Sequence, residues 1–310
     1  MKSSFATVGI IGRRDTATIR DSLEAVLQLL HSLGIAVVLD EDTAHLLDAD
    51  RAPAEQPAFT VVPRLELGAR ADLIVVIGGD GSLLGVGRDL AHASVPVVGI
   101  NRGGLGFLAD ISPDQIEASL TEVLAGRFRE EDHFLLEAEV LRGGEVVAKS
   151  PALNDVVVHL GGMARMMEFS LHIDDQFVYD QRSDGLIIAS PTGSTAYSLS
   201  AGGPIMHPSL DAIVVVPMFP HTLTSRPLVV RGSSRIRVAV AGDDPEARIS
   251  CDSQVDFVLA PGDEVVISKY EHALKLLYPL DHSFFDSCRS KLDWASRLGG
   301  AGFRDNGAGS

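Results

Sequence analysis

The residue types best suited to chemistry lie where an apolar run ends on a glycine-rich turn around one carboxylate. Ile74–Ile77 is typical of a buried parallel strand, and Gly78, Gly79 and Gly81 surround Asp80 directly after it. Glycines let backbone N–H groups approach a phosphate, and open α/β sheets bind ligands at the carboxyl ends of their strands. The segment predicts a phosphate site that carries its own acid/base or metal-binding group. The alternative is an ordinary turn, because glycine and aspartate favour turns.

A second polar cluster lies between Asp184 and Pro204. There a strand leads into Pro-Thr-Gly-Ser-Thr at 191–195 and then into a helix start. Small hydroxyl side chains at a helix start cap free N–H groups, and the same N–H groups can hold an anion or the polar edge of a ring. Tyr197 could stack on a base or fill the core. A capped turn is the alternative, but function often lies on loops held by a rigid scaffold, so we favour a binding segment.

The elements that must position these residues change character near residue 133. Before it, strands alternate with amphipathic helices: strands at Phe5–Ile11, Ile35–Leu39, Ala71–Ile77 and Val95–Ile100, and helices at Thr16–Leu33, Ser82–Leu90 (capped by Ser82) and Pro113–Leu124. After it come short strands separated by turns: Leu135–Leu141, Val146–Ala148, Val156–Leu160, Glu168–Ile173, Leu186–Ala189, Leu228–Val230, Ile236–Ala241, Ala247–Ser250 and Glu264–Ser268. The pattern predicts an α/β N-terminal domain with a mainly parallel sheet, followed by an all-β, sandwich-like C-terminal domain.

Composition narrows the classes of function. The 310 residues include 26 basic and 42 acidic side chains, a net charge of −16, which argues against a nucleic-acid or membrane-surface role. Cys251 and Cys288 are too few for a disulfide framework, and we expect both as free thiols in a cytoplasmic protein. We see no secretory signal and no apolar run of the roughly 20 residues that span a bilayer.

Four motifs in order carry a resemblance to a known family. They are Gly78–Gly81, Asn101–Leu108, Asn154–Asp155 and Pro191–Tyr197. Together the motifs make the chain resemble the bacterial NAD kinases, close to the enterobacterial type, over roughly residues 5–295. The Gly-Gly-Asp-Gly turn is shared with 6-phosphofructokinases and with diacylglycerol and sphingosine kinases, whereas Thr-Gly-Ser-Thr-Ala-Tyr singles out the NAD kinases.

The resemblance implies a reaction and a domain plan. The γ-phosphoryl group of ATP passes to the 2′-hydroxyl of the adenosine ribose of NAD, with Asp80 as general base and a divalent cation, Mg²⁺ or Mn²⁺, held mainly by the ATP phosphates. A Rossmann-like, phosphofructokinase- and diacylglycerol kinase-like nucleotide-binding domain at 1–133 would receive a returning tail at 281–298, with a short helix at Ser290–Leu298. The NAD-binding β domain would span 134–280, and 299–310 would be disordered. Homodimers or homotetramers are expected.

The resemblance also implies which residues bind NAD. Asp80 and Gly81 would approach the dinucleotide, and Asn154 and Asp155 would hydrogen-bond ribose hydroxyls. The remaining residues of this set are Arg165, Arg182, Asp184, Thr195, Ala196, Tyr197, Ser198, Leu199, Ser200 and Gln254, the last of which could come from a neighbouring subunit. Asp155 stands where many members have glutamate, and Arg182-Ser183 where others have glycine. We expect NAD and ATP alone as substrates, rather than NADH or polyphosphate.

Three other functions stay open at this point. The first is a lipid or sugar kinase with the same glycine-rich turn, which would lack the Thr195-Ala196-Tyr197 block. The second is an oxidoreductase, because Gly104-x-Gly106-x-x-Ala109 matches a permissive dinucleotide fingerprint, although no long helix opens at that loop. The third is a dinucleotide sensor without catalysis, which only turnover can distinguish.

Overall fold

The computed structural model describes residues 3–12, 17–47, 58–102, 106–161, 166–241, 247–292 and 294. The strands are β1 Thr7–Gly12, β2 Ala36–Asp40, β3 Thr60–Val62, β4 Leu73–Gly78, β5 Val97–Asn101, β6 Arg129–Arg142, β7 Glu145–Ala152, β8 Asp155–Leu160, β9 Met167–Ile173, β10 Gln176–Ser183, β11 Gly185–Ala189, β12 Ala212–Met218, β13 Leu228–Arg231, β14 Ile236–Val240, β15 Ala247–Cys251, β16 Val255–Val258 and β17 Glu264–Tyr278. The helices are α1 Ala17–Ser32, α2 Glu41–His45, α3 Leu67–Arg70, α4 Asp80–Leu90, α5 Ile116–Leu124, α6 Tyr197–Ser200 and α7 Phe284–Lys291.

The N-terminal part of the chain forms a parallel sheet in the order β5-β4-β1-β2-β3. Strand β4 lies between β1 and β5, and all six of its residues are buried, as its β-branched apolar run predicts. Helix α1 packs its apolar stripe, which includes Leu23 and Leu27, into the core on one face of this sheet. Fully burying one such side chain contributes about 1.5–3 kcal/mol to the stability of the fold. This core therefore holds the end of β4 in place.

The C-terminal part is built from antiparallel strands in two sheets. One has the order β13-β12-β11-β8-β15-β16, and the other contains β10, β9, β14 and β17, with β6 and β7 attached. Inward-facing residues of both sheets, such as Val158, Phe169, Ile188 and Val238, form one shared core. This arrangement is the sandwich-like domain that the short strands separated by turns predict.

Strand β17 connects the two parts. It pairs along most of its length with β6, and Leu276 near its end pairs in parallel with Val97 of β5, so a single sheet continues from one part into the other. The expected boundary at 133 therefore falls inside β6, and the domain limits stay a prediction. Helix α7 follows β17 and returns to the N-terminal part, where Phe284 lies 6.4 Å from Phe107 between ring centroids.

The structure corrects several predicted elements. The C-terminal helix spans Phe284–Lys291 instead of Ser290–Leu298, and the tail at 299–310 lies outside the described residues. Strand β12 is absent from the prediction, because Pro217 interrupts its apolar run. The strand tolerates this proline because β13 pairs only with residues 212–215, which leaves Pro217 with a neighbouring strand on one side. The sequence-based prediction also lacks strands β10 and β16, and both carry mostly exposed or half-exposed residues.

Two further observations bear on the sequence-based expectations. Both Cys251 and Cys288 are buried free thiols, as expected. Among the helices within the described ranges, none combines the length and apolar character needed to cross a membrane.

Candidate active site

Asp80 is the first residue of α4, directly after the carboxyl end of β4. Its carboxylate accepts three backbone hydrogen bonds: from Phe107 N–H at 2.7 Å, Leu108 N–H at 3.1 Å and Ala109 N–H at 3.2 Å. A Cβ on Gly106 would lie 2.0 Å from Asp80 Oδ1, so only glycine leaves room for the carboxylate. The loop after β5 therefore fixes the acidic side chain that the sequence singled out.

The expected cap of α4 by Ser82 is wrong. Gly79 occupies the N-cap position without a side-chain hydrogen bond, and the Ser82 N–H donates to the Gly79 carbonyl. The Ser82 hydroxyl is buried and has no hydrogen-bond partner among the described residues. The first turn of this helix is thus capped by no side chain, which suits a helix end that meets an anionic ligand.

Lys291 of α7 places a cation beside Asp80. Its Nζ lies 3.7 Å from Asp80 Oδ2 and 3.9 Å from the centroid of the Phe107 ring. Burial lowers the pKa of Lys291, and the nearby Asp80 carboxylate opposes that shift. The side chain of Asp80 stays 32% exposed, so the carboxylate remains open to a substrate.

The other end of the site is tied to α4 by two polar side chains. Gln254 Nε2 donates to the Gly81 carbonyl at 3.0 Å, within the same chain, and Arg88 donates to Gln254 Oε1 at 2.5 Å. Arg88 also donates to Asp252 Oδ2 at 3.0 Å. Gly81, Arg88 and Gln254 border a cleft of about 570 Å³ that also reaches Ser82.

Asp252 then contacts the segment that is expected to bind ribose. Its carboxylate accepts N–H bonds from Leu153 at 3.0 Å, Asn154 at 2.7 Å and Asp155 at 3.3 Å. Burial, together with the adjacent Asp252 carboxylate, raises the pKa of Asp155 to about 7. Burial also raises the pKa of Asp252, against the lowering effect of its backbone donors and Arg88. Two acidic groups therefore lie together in a poorly solvated wall of the site.

The Pro-Thr-Gly-Ser-Thr turn packs onto the backbone of Asn154. Ser190 Oγ donates to the Leu153 carbonyl at 2.5 Å, and Ser190 N–H donates to the Asn154 carbonyl at 2.9 Å. A Cβ on Gly193 would lie 2.0 Å from that carbonyl oxygen, so this position has space for glycine only. The turn and the Asn154 segment are thereby held in direct contact.

The hydroxyl side chains of this turn do not cap the short helix α6 that follows, so the alternative of a capped turn does not hold for that helix. Ser194 Oγ donates to the Pro191 carbonyl at 2.6 Å and accepts the Met206 N–H at 2.9 Å. Thr192 Oγ1 lies 2.9 Å from Nδ1 of the buried His133, whose pKa burial lowers to about 4. The hydroxyls of Thr192 and Ser194 therefore hold the turn through hydrogen bonds within the protein.

The remaining expected NAD residues fall into three groups. The segment Thr195–Ser200 covers the end of the turn and α6; Tyr197 is 43% exposed, whereas Ser198 is buried. Arg182 forms an ion pair with Glu168 at 2.9 Å and borders a different cleft, of about 530 Å³. Asp184, two residues later in the chain, is exposed. Arg165 lies outside the described residues. Through Arg88 and Asp252, the contacts described above link Gly81 and Gln254 to the segment of Asn154 and Asp155, and none of them involves Arg182. Asp80 joins this set because it begins the helix that carries Gly81 and Arg88.

Three contributors to the site are absent from the sequence-based set. They are Asp252, Arg88 and Lys291, which contact the expected residues through side chains distant in the sequence. Asp252 had one available signal, since an acid in a short turn two residues before Gln254 is placed to bind the same region. Arg88 and Lys291 look like ordinary charges near helix ends.

Within the described ranges, no group of three or more His, Cys, Asp or Glu side chains is arranged to hold a metal ion. At the glycine-rich turn the donor set is the Asp80 carboxylate, and three backbone N–H groups already bind it. This chemistry fits a cation that arrives on the phosphates of a nucleotide, since Mg²⁺ is commonly bound through one or two carboxylates plus substrate phosphates.

The fold and this site define a two-domain α/β and β protein with a carboxylate at a phosphate-binding turn. Comparison with known proteins is more specific: the ATP-NAD kinase N-terminal domain matches residues 8–128, and the ATP-NAD kinase C-terminal domain matches residues 153–278. The chain belongs to the ATP-NAD kinase family, which confirms the resemblance seen in the sequence.

Relatives and solved structures agree with this assignment. NAD kinases of Saccharophagus degradans and Azotobacter vinelandii are 53% and 51% identical to this chain, over 96% of it and over 99% and 98% of their own lengths. The crystal structure of yeast NADH kinase complexed with NADH matches with a TM-score of 0.83 at 26% identity, over 94% of this chain and 88% of that one. An NAD kinase from Archaeoglobus fulgidus in complex with ATP shares the fold, with a TM-score of 0.69 at 24% identity, over 93% and 97%. The predicted fold class is confirmed.

Proposed function

We propose that Asp80 is the general base of the phosphoryl transfer that converts NAD into NADP. Family membership makes the chain an ATP-dependent NAD kinase, which transfers a phosphoryl group from ATP to NAD. In the proposed reaction the 2′-hydroxyl of the adenosine ribose attacks the γ-phosphorus, Asp80 accepts the hydroxyl proton, and ADP leaves. The observation that carries this role is the Asp80 carboxylate, held by three backbone N–H groups at the carboxyl end of β4 and still partly exposed.

The acceptor is proposed to bind along the contacts that lead away from Asp80. Asn154 and Asp155 would hydrogen-bond ribose hydroxyls, since an ionised carboxylate accepts two O–H donors well. The segment Thr195–Ser200 would hold the adenine and nicotinamide sides, with the exposed ring of Tyr197 available for stacking. Gln254 would contact the dinucleotide next to Gly81. The packing of the Ser190–Gly193 turn on Asn154 supports this grouping.

The donor is proposed to place its phosphates at the uncapped first turn of α4. The glycines of the turn and the helix start that no side chain caps suit a polyphosphate, and Lys291 adds a positive charge beside the reacting carboxylate. A divalent cation, Mg²⁺ or Mn²⁺, when bound through the ATP phosphates, would neutralise their charge. The protein itself would mainly orient the hydroxyl and the γ-phosphoryl group in line.

Several finer points belong to the same proposal. We place the enzyme in the cytoplasm as a homodimer or homotetramer, with no nucleic-acid or membrane partner, in keeping with its net charge of −16. Arg165 and Arg182 are proposed to supply positive charge near the phosphates of the dinucleotide, and Asp184 is proposed to help hold its adenine and nicotinamide sides. The division into domains at 1–133, with its returning tail, and 134–280 is likewise retained as a proposal.

The direct test is phosphorylation by the purified protein. It is incubated with ATP and Mg²⁺ and with either NAD or NADH, and NADP or NADPH is read with a coupled dehydrogenase. Product from NAD alone is expected, in line with Arg182-Ser183 preceding Asp184. Product from both acceptors would overturn the strict preference for NAD, and no product from either would overturn the proposed reaction.

A further inference from the structure

We propose that Asp252, together with Arg88, is a positioning residue that sets the distance between the acceptor ribose and Asp80. The inference rests on the proposed roles of Asn154, Asp155 and Asp80. It concerns residues that hold the two halves of the site together, rather than residues that touch the reacting atoms.

Asp252 is built into the turn between β15 and β16. Its backbone adopts a left-handed φ of 53°, and its side chain is completely buried. A buried carboxylate is costly unless it is hydrogen-bonded and paired, and four donors meet this one: three backbone N–H groups from 153–155 and Arg88 Nη1. The turn therefore binds the start of β8 through a single carboxylate.

Arg88 connects that carboxylate to the helix of Asp80. It lies on α4 eight residues after Asp80, which is about 12 Å along the helix axis at 1.5 Å per residue. The neighbouring Gly87 also lies close to the acceptor segment, because a Cβ there would be 3.4 Å from the Leu153 side chain. Gln254 forms a second link, from Arg88 to the Gly81 carbonyl. A rigid helix thus carries Asp80 at one end, and at the other end its Arg88 is bonded through Asp252 to the acceptor segment.

The arrangement requires a carboxylate instead of an amide at 252. Oδ1 accepts from the N–H groups of Asn154 and Asp155, and Oδ2 accepts from Leu153 N–H and Arg88. An asparagine offers one acceptor oxygen and one NH₂ group, so in either orientation two of these four donors face another donor. Asp252→Asn therefore keeps the shape of the side chain at 252 and removes two of its four hydrogen bonds.

Asp252 also acts electrostatically on Asp155. The titratable and charged groups around Asp155 are Cys251 and Asp252 of the β15 end, with Arg88 of α4 opposite Asp252. The negative charge of Asp252 contributes to the raised pKa of Asp155, so its removal lowers that pKa. A role confined to stability would not move the pH dependence of NAD binding.

The experiment compares steady-state kinetics of wild type, Asp252→Asn and Arg88→Gln, with exposed Asp256→Asn as the matched control. In Asp252→Asn we expect the KM for NAD to rise about tenfold, as for a lost hydrogen bond to a charged group, and the KM for ATP to change less than about twofold. The pH midpoint of the NAD KM should move down by about 0.5 to 1 unit. Arg88→Gln should also raise the NAD KM, and the double variant should be little worse than the worse single variant.

The outcomes separate this inference from the proposed function. Folded Asp252→Asn with an NAD KM and a pH midpoint like those of wild type would overturn the positioning role while leaving NAD kinase activity intact. If Asp252→Asn does not fold, Arg88→Gln decides the question alone, because it leaves the three backbone bonds of Asp252 in place, and an unchanged NAD KM in that variant would overturn the role. Absence of NAD phosphorylation by wild type would refute the proposed reaction and this inference with it.

Discussion

Asp80 and Asp155 are two carboxylates of one site in opposite environments. The Asp80 side chain is 32% exposed, accepts three backbone N–H bonds and has Lys291 nearby. Asp155 is 3% exposed and lies next to the buried carboxylate of Asp252. The first environment leaves a hydrogen-bonded carboxylate within reach of a substrate, and the second disfavours a negative charge.

The comparison of Asp80 with Asp155 shows how one residue type can serve two different roles in the same site. A carboxylate that is held by amide dipoles and stays open to solvent suits proton acceptance from an incoming hydroxyl. A carboxylate in a dry wall beside another acid has its pKa raised to about 7, so its charge depends on pH in the physiological range. The environment, more than the residue type, assigns each function.

The largest expected effect comes from Asp80→Asn. Removing the general base should lower kcat about 1000-fold, while NAD binding measured by calorimetry stays within about threefold of wild type. Asp175→Asn, at an exposed hairpin position with a φ of 60° that asparagine tolerates, is the control. A variant that retained more than a tenth of the wild-type kcat would remove Asp80 from the base role and erase the contrast with Asp155.

The next effect comes from Gly106→Ala. The added Cβ would lie 2.0 Å from Asp80 Oδ1 and must displace the carboxylate from its three N–H donors. We expect kcat to fall about 100-fold, since misplacement of a catalytic group by about 1 Å costs on this order. In an Asp80→Asn background, Gly106→Ala should lower kcat hardly any further. Additive losses in the double variant would show that Gly106 acts on something other than Asp80.

A smaller effect is expected from the titration of Asp155. Only the ionised form accepts two ribose O–H donors, so the KM for NAD should fall about tenfold as pH rises from 6 to 8 through the pKa of about 7. Asp155→Asn should show a high NAD KM that hardly varies with pH. A wild-type NAD KM that is flat across this range would mean that Asp155 does not bind ribose as a carboxylate.

The free energy of unfolding should change with pH in the opposite sense to NAD binding, falling as pH rises. Because the pKa of Asp155 is raised on folding, the folded protein holds a proton that the unfolded chain has lost between about pH 4 and 7. The contribution of Asp155 to stability is therefore present at low pH and is lost as pH rises through 7. Urea unfolding at pH 5 and pH 8 should show this loss in wild type and a smaller one in Asp155→Asn.

The smallest effect is expected from Lys291→Met. An ion pair at 3.7 Å to a partly exposed carboxylate is worth about 0.5–1 kcal/mol, so kcat/KM for ATP should fall about threefold. Lys149→Met, which breaks an exposed pair with Glu137, should leave the kinetics unchanged. A loss above about 30-fold would give Lys291 a direct part in the transfer and would make the environment of Asp80 less simple than described.

The parts of the site that the sequence predicted well are local in the chain. Strand β4 and its turn follow from a short apolar run that stops on glycines, and α1 from helical spacing of apolar residues. The misplaced C-terminal helix and the wrong cap at Ser82 show where local signals mislead. In the first case Ser283 caps a helix that begins earlier, and in the second the chain turns one residue before Asp80.

The links between the two halves of the site were not predictable from spacing. Asp252 lies 164 residues from Arg88 and about 100 from the segment whose N–H groups it accepts. Lys291 reaches Asp80 from the other end of the chain. Such contacts depend on how β17 joins both parts into one sheet, and neither periodicity nor turn chemistry encodes that pairing.

The sequence by itself determined the fold class, the family and the acidic residue at the glycine-rich turn. Each of these follows from residue types at short separations, where backbone conformation is set by neighbouring residues. Only the tertiary structure decided which residues hold that acid, which ones raise the pKa of Asp155, and how Asp252 and Arg88 connect the acceptor segment to α4. Burial and charge proximity come from packing between distant segments, so these properties exist only in the folded chain.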